Sequence, residues 1–103
     1  MKKARIYNFG IPAGELTEHK MNEEYSFTYY DDYQDEPISL TMPLVQKEFV
    51  YKNFPPFFEG LLPEGVMLAN LLRTAKIDSN DYFSQLIYVG EDLVGSVTVE
   101  EIK

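Results

Sequence analysis

The sequence predicts an α+β fold, a curved antiparallel sheet of about five strands with two main helices, in a single domain spanning residues 1–103. Three observations carry this expectation. Short runs of aromatic and β-branched residues with period-two alternation fill the first half and return at the end, which is the signature of half-buried strands. After Pro63 the apolar residues recur at helical spacing, and a further helix start lies at Ile77–Tyr82. A chain of 103 residues supports one core, burying somewhat under roughly 70% of its unfolded surface. Eight Tyr and seven Phe supply the bulk that so small a core needs.

In chain order, Ala4–Phe9 is short, β-rich and closed by Gly10, and reads as a strand in which Ile6 is out of phase with Tyr7 and Phe9; Gly10–Gly14 reads as a turn. Glu15–Met21 alternates weakly. Tyr25–Tyr30 alternates cleanly, placing Tyr25, Phe27 and Tyr29 on one face, so the first three elements form an antiparallel meander. Asp31–Glu36 is an acidic run. It lacks the glycine and closing glutamate of a calcium-binding loop and reads as solvated. Pro37–Pro43 puts Ile38, Leu40 and Met42 on one face with proline at both ends, the mark of an edge strand. Phe49–Tyr51 reads as a strand fragment.

Residues 54–67 thread three prolines and two glycines through seven large apolar side chains. Proline suits the first turn of a helix and not its interior, so the stretch parses as a helical turn over about 56–61, a break at Leu62-Pro63, and a helix over about 63–75. Leu68, Leu71, Leu72 and Ala75 define that helix's inward stripe. At 100° per residue Val66 points away from the stripe and Met67 lies on its flank, so neither is needed for the helix's own packing. The third helix spans about 79–89, with Asp78 as N-cap, Asp81 in the first turn and Ile77 stapled to Tyr82; Phe83, Leu86 and Ile87 form its inward face. It stops near Gly90. The segment Gly90–Gly95 then turns the chain into a last strand, Ser96–Glu100, with Val97 and Val99 inward. No internal repeat or linker interrupts the domain.

The composition argues against several function classes. The formal charge of −8 opposes binding to a phosphate backbone. With no cysteine there is no disulfide framework and no thiolate metal site. The N-terminus shows no signal peptide and no membrane span follows, which points to the cytoplasm. His19 is the single imidazole, on a polar strand, and no residues have metal-ligand spacing. Gly90 and Gly95-Ser96 mimic the frame of a phosphate loop without its lysine. The expectation is a protein that is not an enzyme and carries no cofactor or metal.

Three motifs in register give a more specific reading: Ser39–Leu44, then Phe57-Phe-Glu-Gly-Leu-Leu-Pro-Glu-Gly65, then Gly90-Glu-Asp-Leu-Val-Gly-Ser96. This order resembles the N-terminal subdomain of the HipA family of bacterial toxin kinases, and the resemblance covers nearly the whole chain. The family's kinase core continues beyond this subdomain, whereas the chain stops at Lys103. It therefore resembles the small subunit of the tripartite HipBST toxin-antitoxin systems, in which the kinase lacks this subdomain and receives it in trans. The resemblance implies an antitoxin that neutralises a HipT-like serine/threonine kinase toxin acting on a translation component. A HipB-like DNA-binding protein would complete the complex, and neither nucleic acid nor membrane would be contacted directly. Leu62, Pro63, Glu64, Gly65, Val66, Met67 and Asn70 are then the expected partner-binding residues, with Phe57, Phe58 and Leu61 anchoring the corner inward. Three alternatives stand beside this reading: a scaffold that tethers kinase to HipB without inhibition, an N-terminal fragment of a full-length HipA-type kinase, and an acidic mimic of nucleic acid.

Overall fold

The computed structural model describes every residue except Val94. Five strands and three helices follow in the order β1 (Lys2–Asn8), β2 (Ile11–Lys20), β3 (Glu24–Tyr29), β4 (Glu48–Tyr51), α1 (Pro56–Glu59), α2 (Gly65–Ala75), α3 (Tyr82–Val89) and β5 (Val97–Ile102). The sheet is antiparallel throughout, with strand order β4-β3-β2-β1-β5. Because β4 and β5 lie on opposite edges, the helical segment between them must cross the sheet. It covers the inner face as it does so.

The first hairpin is tighter than expected. Asn8 pairs with Ile11, so only Phe9 and Gly10 form the turn, both at positive φ (53° and 79°). Such a two-residue turn matches the right-handed twist of its strands. The residues 11–14 assigned to a turn are the start of β2 instead. Their irregularity is a bulge: Ile6 faces Gly14 and Tyr7 faces Pro12, leaving Ala13 as the extra residue. A second register shift leaves His19 unpaired between Glu18 and Lys20. Each bulge bends the strand and curves the sheet. At Gly14 a Cβ would press into the Thr28 carbonyl and the Phe27 ring, so glycine is what lets β2 lie this close to β3.

Tyr25, Phe27 and Tyr29 are all buried, as their alternation predicts. Ile6, Leu16, Phe49, Val97 and Val99 join them from the other strands, under Phe54, Phe58, Phe83 and Leu86. Phe54 sits edge-on to Tyr25 at 5.3 Å, and Phe58 lies 5.8 Å from Phe27. The polar tips of this aromatic core are satisfied. Tyr25 Oη donates to the buried Glu18 carboxylate at 3.0 Å and accepts the Asn22 amide at 2.8 Å. Burial, helped by that carboxylate, pushes the Tyr25 hydroxyl up to about 12, which keeps it the proton donor of the pair.

Pro37–Pro43 is a loop and not the edge strand its alternation suggests; β4 occupies that edge. Proline at both ends removes ladder donors, and the loop's backbone is held by a side chain instead. Tyr29 Oη accepts from the Ile38 amide at 3.0 Å and donates to the Met42 carbonyl at 2.6 Å. Ile38 and Met42 are thereby buried, while Leu40, expected beside them, is 96% exposed.

Both main helices begin later than predicted. Pro63 precedes α2, which starts at Gly65, and of its stripe only Leu71 is fully buried, with Leu68, Leu72 and Ala75 half-buried. Helix α3 starts at Tyr82, with Asp81 and not Asp78 as its N-cap: Asp81 Oδ1 accepts from the Ser84 amide at 3.1 Å and Oδ2 from Ser84 Oγ at 2.7 Å. Asn80 therefore holds the position a staple would use, which leaves Ile77 outside it. Phe83 and Leu86 are buried and Ile87 half-buried; the buried Gln85, unforeseen, donates to the Asp78 and Ser79 carbonyls. Replacing Asp81 by Ala is expected to destabilise the fold by about 1 kcal/mol in chemical denaturation, with the same change at Asp78 nearly neutral; equal effects would show the cap to be misassigned. At Gly90 a Cβ would run into the Val99 carbonyl, so glycine allows the end of α3 to lie directly on β5. The turn predicted over 90–95 contains Val94, which lies outside the described residues, and β5 runs on to Ile102.

Candidate functional site

The corner between α1 and α2 is built by backbone restriction. Helix α1 is a single turn with proline at its first position, closed by bonds from the Leu61 amide to the Phe58 carbonyl and from the Leu62 amide to the Glu59 carbonyl. Pro63 cannot continue that turn. Glu64 is extended, and Gly65 adopts a left-handed φ of 60° that costs an L side chain about 1–2 kcal/mol. The fixed φ of Pro63 and the restriction it places on Leu62 stiffen this corner, and Gly65 sets its direction into α2. Phe58 pins it from below, fully buried; Phe57, Leu61 and Leu62 are half-buried against the core.

Above this anchor the corner is apolar and open. Val66 is 77% exposed and Met67 72% exposed, in accord with their placement off the helix's packing stripe. Beside them runs a groove of about 760 Å³. Its near wall is Leu61, Leu62 and Pro63, and its floor is Met67, Asn70 and Leu71 of α2. The far wall is Tyr88 and Val89 at the end of α3, followed by Asp92 and Leu93. A smaller depression lies on the outer face of the sheet, where Thr17, His19, Ser26 and Thr28 are among the lining residues and His19 Nε2 lies 2.8 Å from Ser26 Oγ. Ser26 is the one side chain that hydrogen-bonds the His19 ring among the described residues.

Of the seven expected binding residues, Leu62, Pro63, Met67 and Asn70 come together on the groove. Glu64, Gly65 and Val66 are exposed at its shoulder and do not line it. Asn70 Oδ1 is also the acceptor for Arg73 Nη2, one turn further along α2. The far wall was not foreseen. Its signal is faint: with Phe83 and Leu86 turned inward, helical periodicity puts Tyr88 outward, and an aromatic that is 56% exposed on a helix end is a candidate contact. A second apolar feature was also missed, the exposed Leu40 and Val45 (96% and 95%) on the loop before β4.

Among the described residues no helix is long and apolar enough to cross a membrane. The model of the family described as HipA N-terminal domain matches residues 4–100. A protein of Haemophilus influenzae described only as uncharacterized is 31% identical over 103 residues, covering 100% of this chain and 95% of its own length. Among solved structures, one described as the N-terminal domain of HipA toxin superposes with a TM-score of 0.78 at 27% identity, covering 100% of this chain and 94% of that one. The motifs, the sheet order and these matches agree, and the chain belongs to the HipA N-terminal domain family.

Proposed function

We propose that this protein is a HipS-type antitoxin that binds a HipT-like serine/threonine kinase in the cytoplasm and neutralises it, with a HipB-like DNA-binding protein in the same complex. It does so as a binding module and not as an enzyme. The observation that carries the reading is the open apolar groove beside a stiff corner, in a domain whose relatives include part of a toxin. Apolar patches left exposed and contiguous mark interaction sites. A stiff corner loses little entropy on docking, so more of the contact energy is kept as affinity.

The test is co-expression with a neighbouring HipT-like kinase gene, followed by assay of the purified kinase. Growth rescue, co-purification and slowed autophosphorylation together are the expected result. Co-purification with an unchanged autophosphorylation rate would replace inhibition by scaffolding. Failure of both would remove the antitoxin reading.

A further inference from the structure

Taking the groove as the docking surface of that reading, we infer that its occupant is a basic amphipathic segment: an apolar side chain seated against Leu62, Pro63 and Met67, flanked by lysine or arginine. The walls are apolar and the rim is acidic. Asp92 lines the groove itself, and the exposed Glu59, Glu64 and Glu91 each adjoin a lining residue, Gly60, Pro63 and Asp92 respectively. Among the described residues, the one nearby cation bonded to a lining residue is Arg73, through Asn70. Helix α3 also ends here with no basic residue in its last turn. The C-terminal end of a helix carries roughly half a negative elementary charge; here the Ile87, Val89 and Gly90 carbonyls already accept backbone amides, so the rim carboxylates supply the main attraction for a partner's cation. The positive end of α2 lies at the same corner, where Glu64 stands at the N-cap position without making a side-chain cap bond.

A phosphate-rich occupant, whether nucleic acid or an anionic lipid surface, meets like charge on this rim and in the net −8 of the chain. A neutral apolar segment fits the walls and leaves the acids unmatched. A basic one satisfies both. Met67 suits the role, since an unbranched thioether adapts to the shape of what it covers.

The probe is a synthetic amphipathic helical peptide with leucines on one face and lysines beside them, compared with a peptide of the same length and apolar face carrying glutamates for the lysines. Binding is followed by fluorescence anisotropy and located by amide NMR shifts. The basic peptide is expected to shift Met67, Leu71, Tyr88 and Asp92 and to bind at least about tenfold more tightly than its acidic counterpart. Asp92→Lys combined with Glu64→Lys should erase that preference. Glu23→Lys with Glu24→Lys, an equal charge change where the β2–β3 turn enters β3, should leave most of it. Absence of binding, equal binding of the two peptides, shifts confined to another face, or an equal loss in both double variants would overturn the inference. None of these outcomes involves a kinase, so failure here and failure of the antitoxin reading are separately visible.

Discussion

Replacing Met67 by Asp, or Val66 by Asp, is expected to abolish neutralisation of the kinase while leaving the isolated domain as stable as before. These residues occupy the third and second positions of α2, are 72% and 77% exposed, and stand outside the buried core cluster. The helix has no acidic residue in its first turn, and Glu64 makes no side-chain cap bond. A carboxylate at either position therefore interacts favourably with the positive end of the helix, by about 0.3–1 kcal/mol. The midpoint of thermal unfolding should stay level or rise by a few degrees. Docking responds in the opposite sense: the apolar contact is lost, and a carboxylate must be taken out of water in the groove at Met67 or on its shoulder at Val66. A loss of about 3 kcal/mol, or more than a hundredfold in Kd, is the expected scale. Met67→Leu should bind nearly as the native protein does. If kinase activity stays suppressed by both aspartate variants, the docking surface lies elsewhere, with the loop carrying Leu40 and Val45 the next place to look.

That outcome bears on how much of the molecule can be read from its residues. Strands with clean alternation, such as Tyr25–Tyr29, and the exposure of Val66 and Met67 follow from local periodicity, which holds wherever one face is buried. Pro37–Pro43 shows where periodicity misleads. Ile38 and Met42 are buried because a single tyrosine hydroxyl takes both the Ile38 amide and the Met42 carbonyl, and that long-range bond leaves no trace in the spacing. The two aspartates near α3 show a different limit. Asp78 and Asp81 are equally good caps by type, and the choice falls to Asp81 because Gln85 reaches back to the Asp78 and Ser79 carbonyls and holds residues 78–80 outside the helix. Leu62, Pro63, Met67 and Asn70 were legible as groove residues because they are nearly contiguous in sequence, whereas Leu61 and Leu71, read as inward packing residues, also line it. Its far wall is brought in from α3 by tertiary packing and was not legible.

Phe58→Ala should have the opposite phenotype to the Met67 variants at the same corner: a large loss of stability, with function lost as a consequence. The ring is fully buried, 5.8 Å from Phe27 on β3 and edge-on to Phe57 at 5.2 Å. Helix α1 has only four residues, far too few to hold itself together, because a single turn recovers little of its ordering entropy. Its geometry depends on this anchor. Truncating a buried phenylalanine to alanine typically removes about 3–5 kcal/mol, a large part of the roughly 5–15 kcal/mol available to a domain. For a chain of this size that is a fall of more than about 15 °C in Tm. The Leu61–Pro63 wall of the groove should become mobile first, visible as rapid amide exchange at Leu61 and Leu62 before the sheet opens. Phe58→Leu keeps most of the volume, should lose less than about 1.5 kcal/mol, and should still co-purify with the kinase. The two substitutions separate the roles of the corner: if Phe58→Ala melts near the native temperature, Phe58 does not pin the corner, and the stiffness invoked for docking has another source.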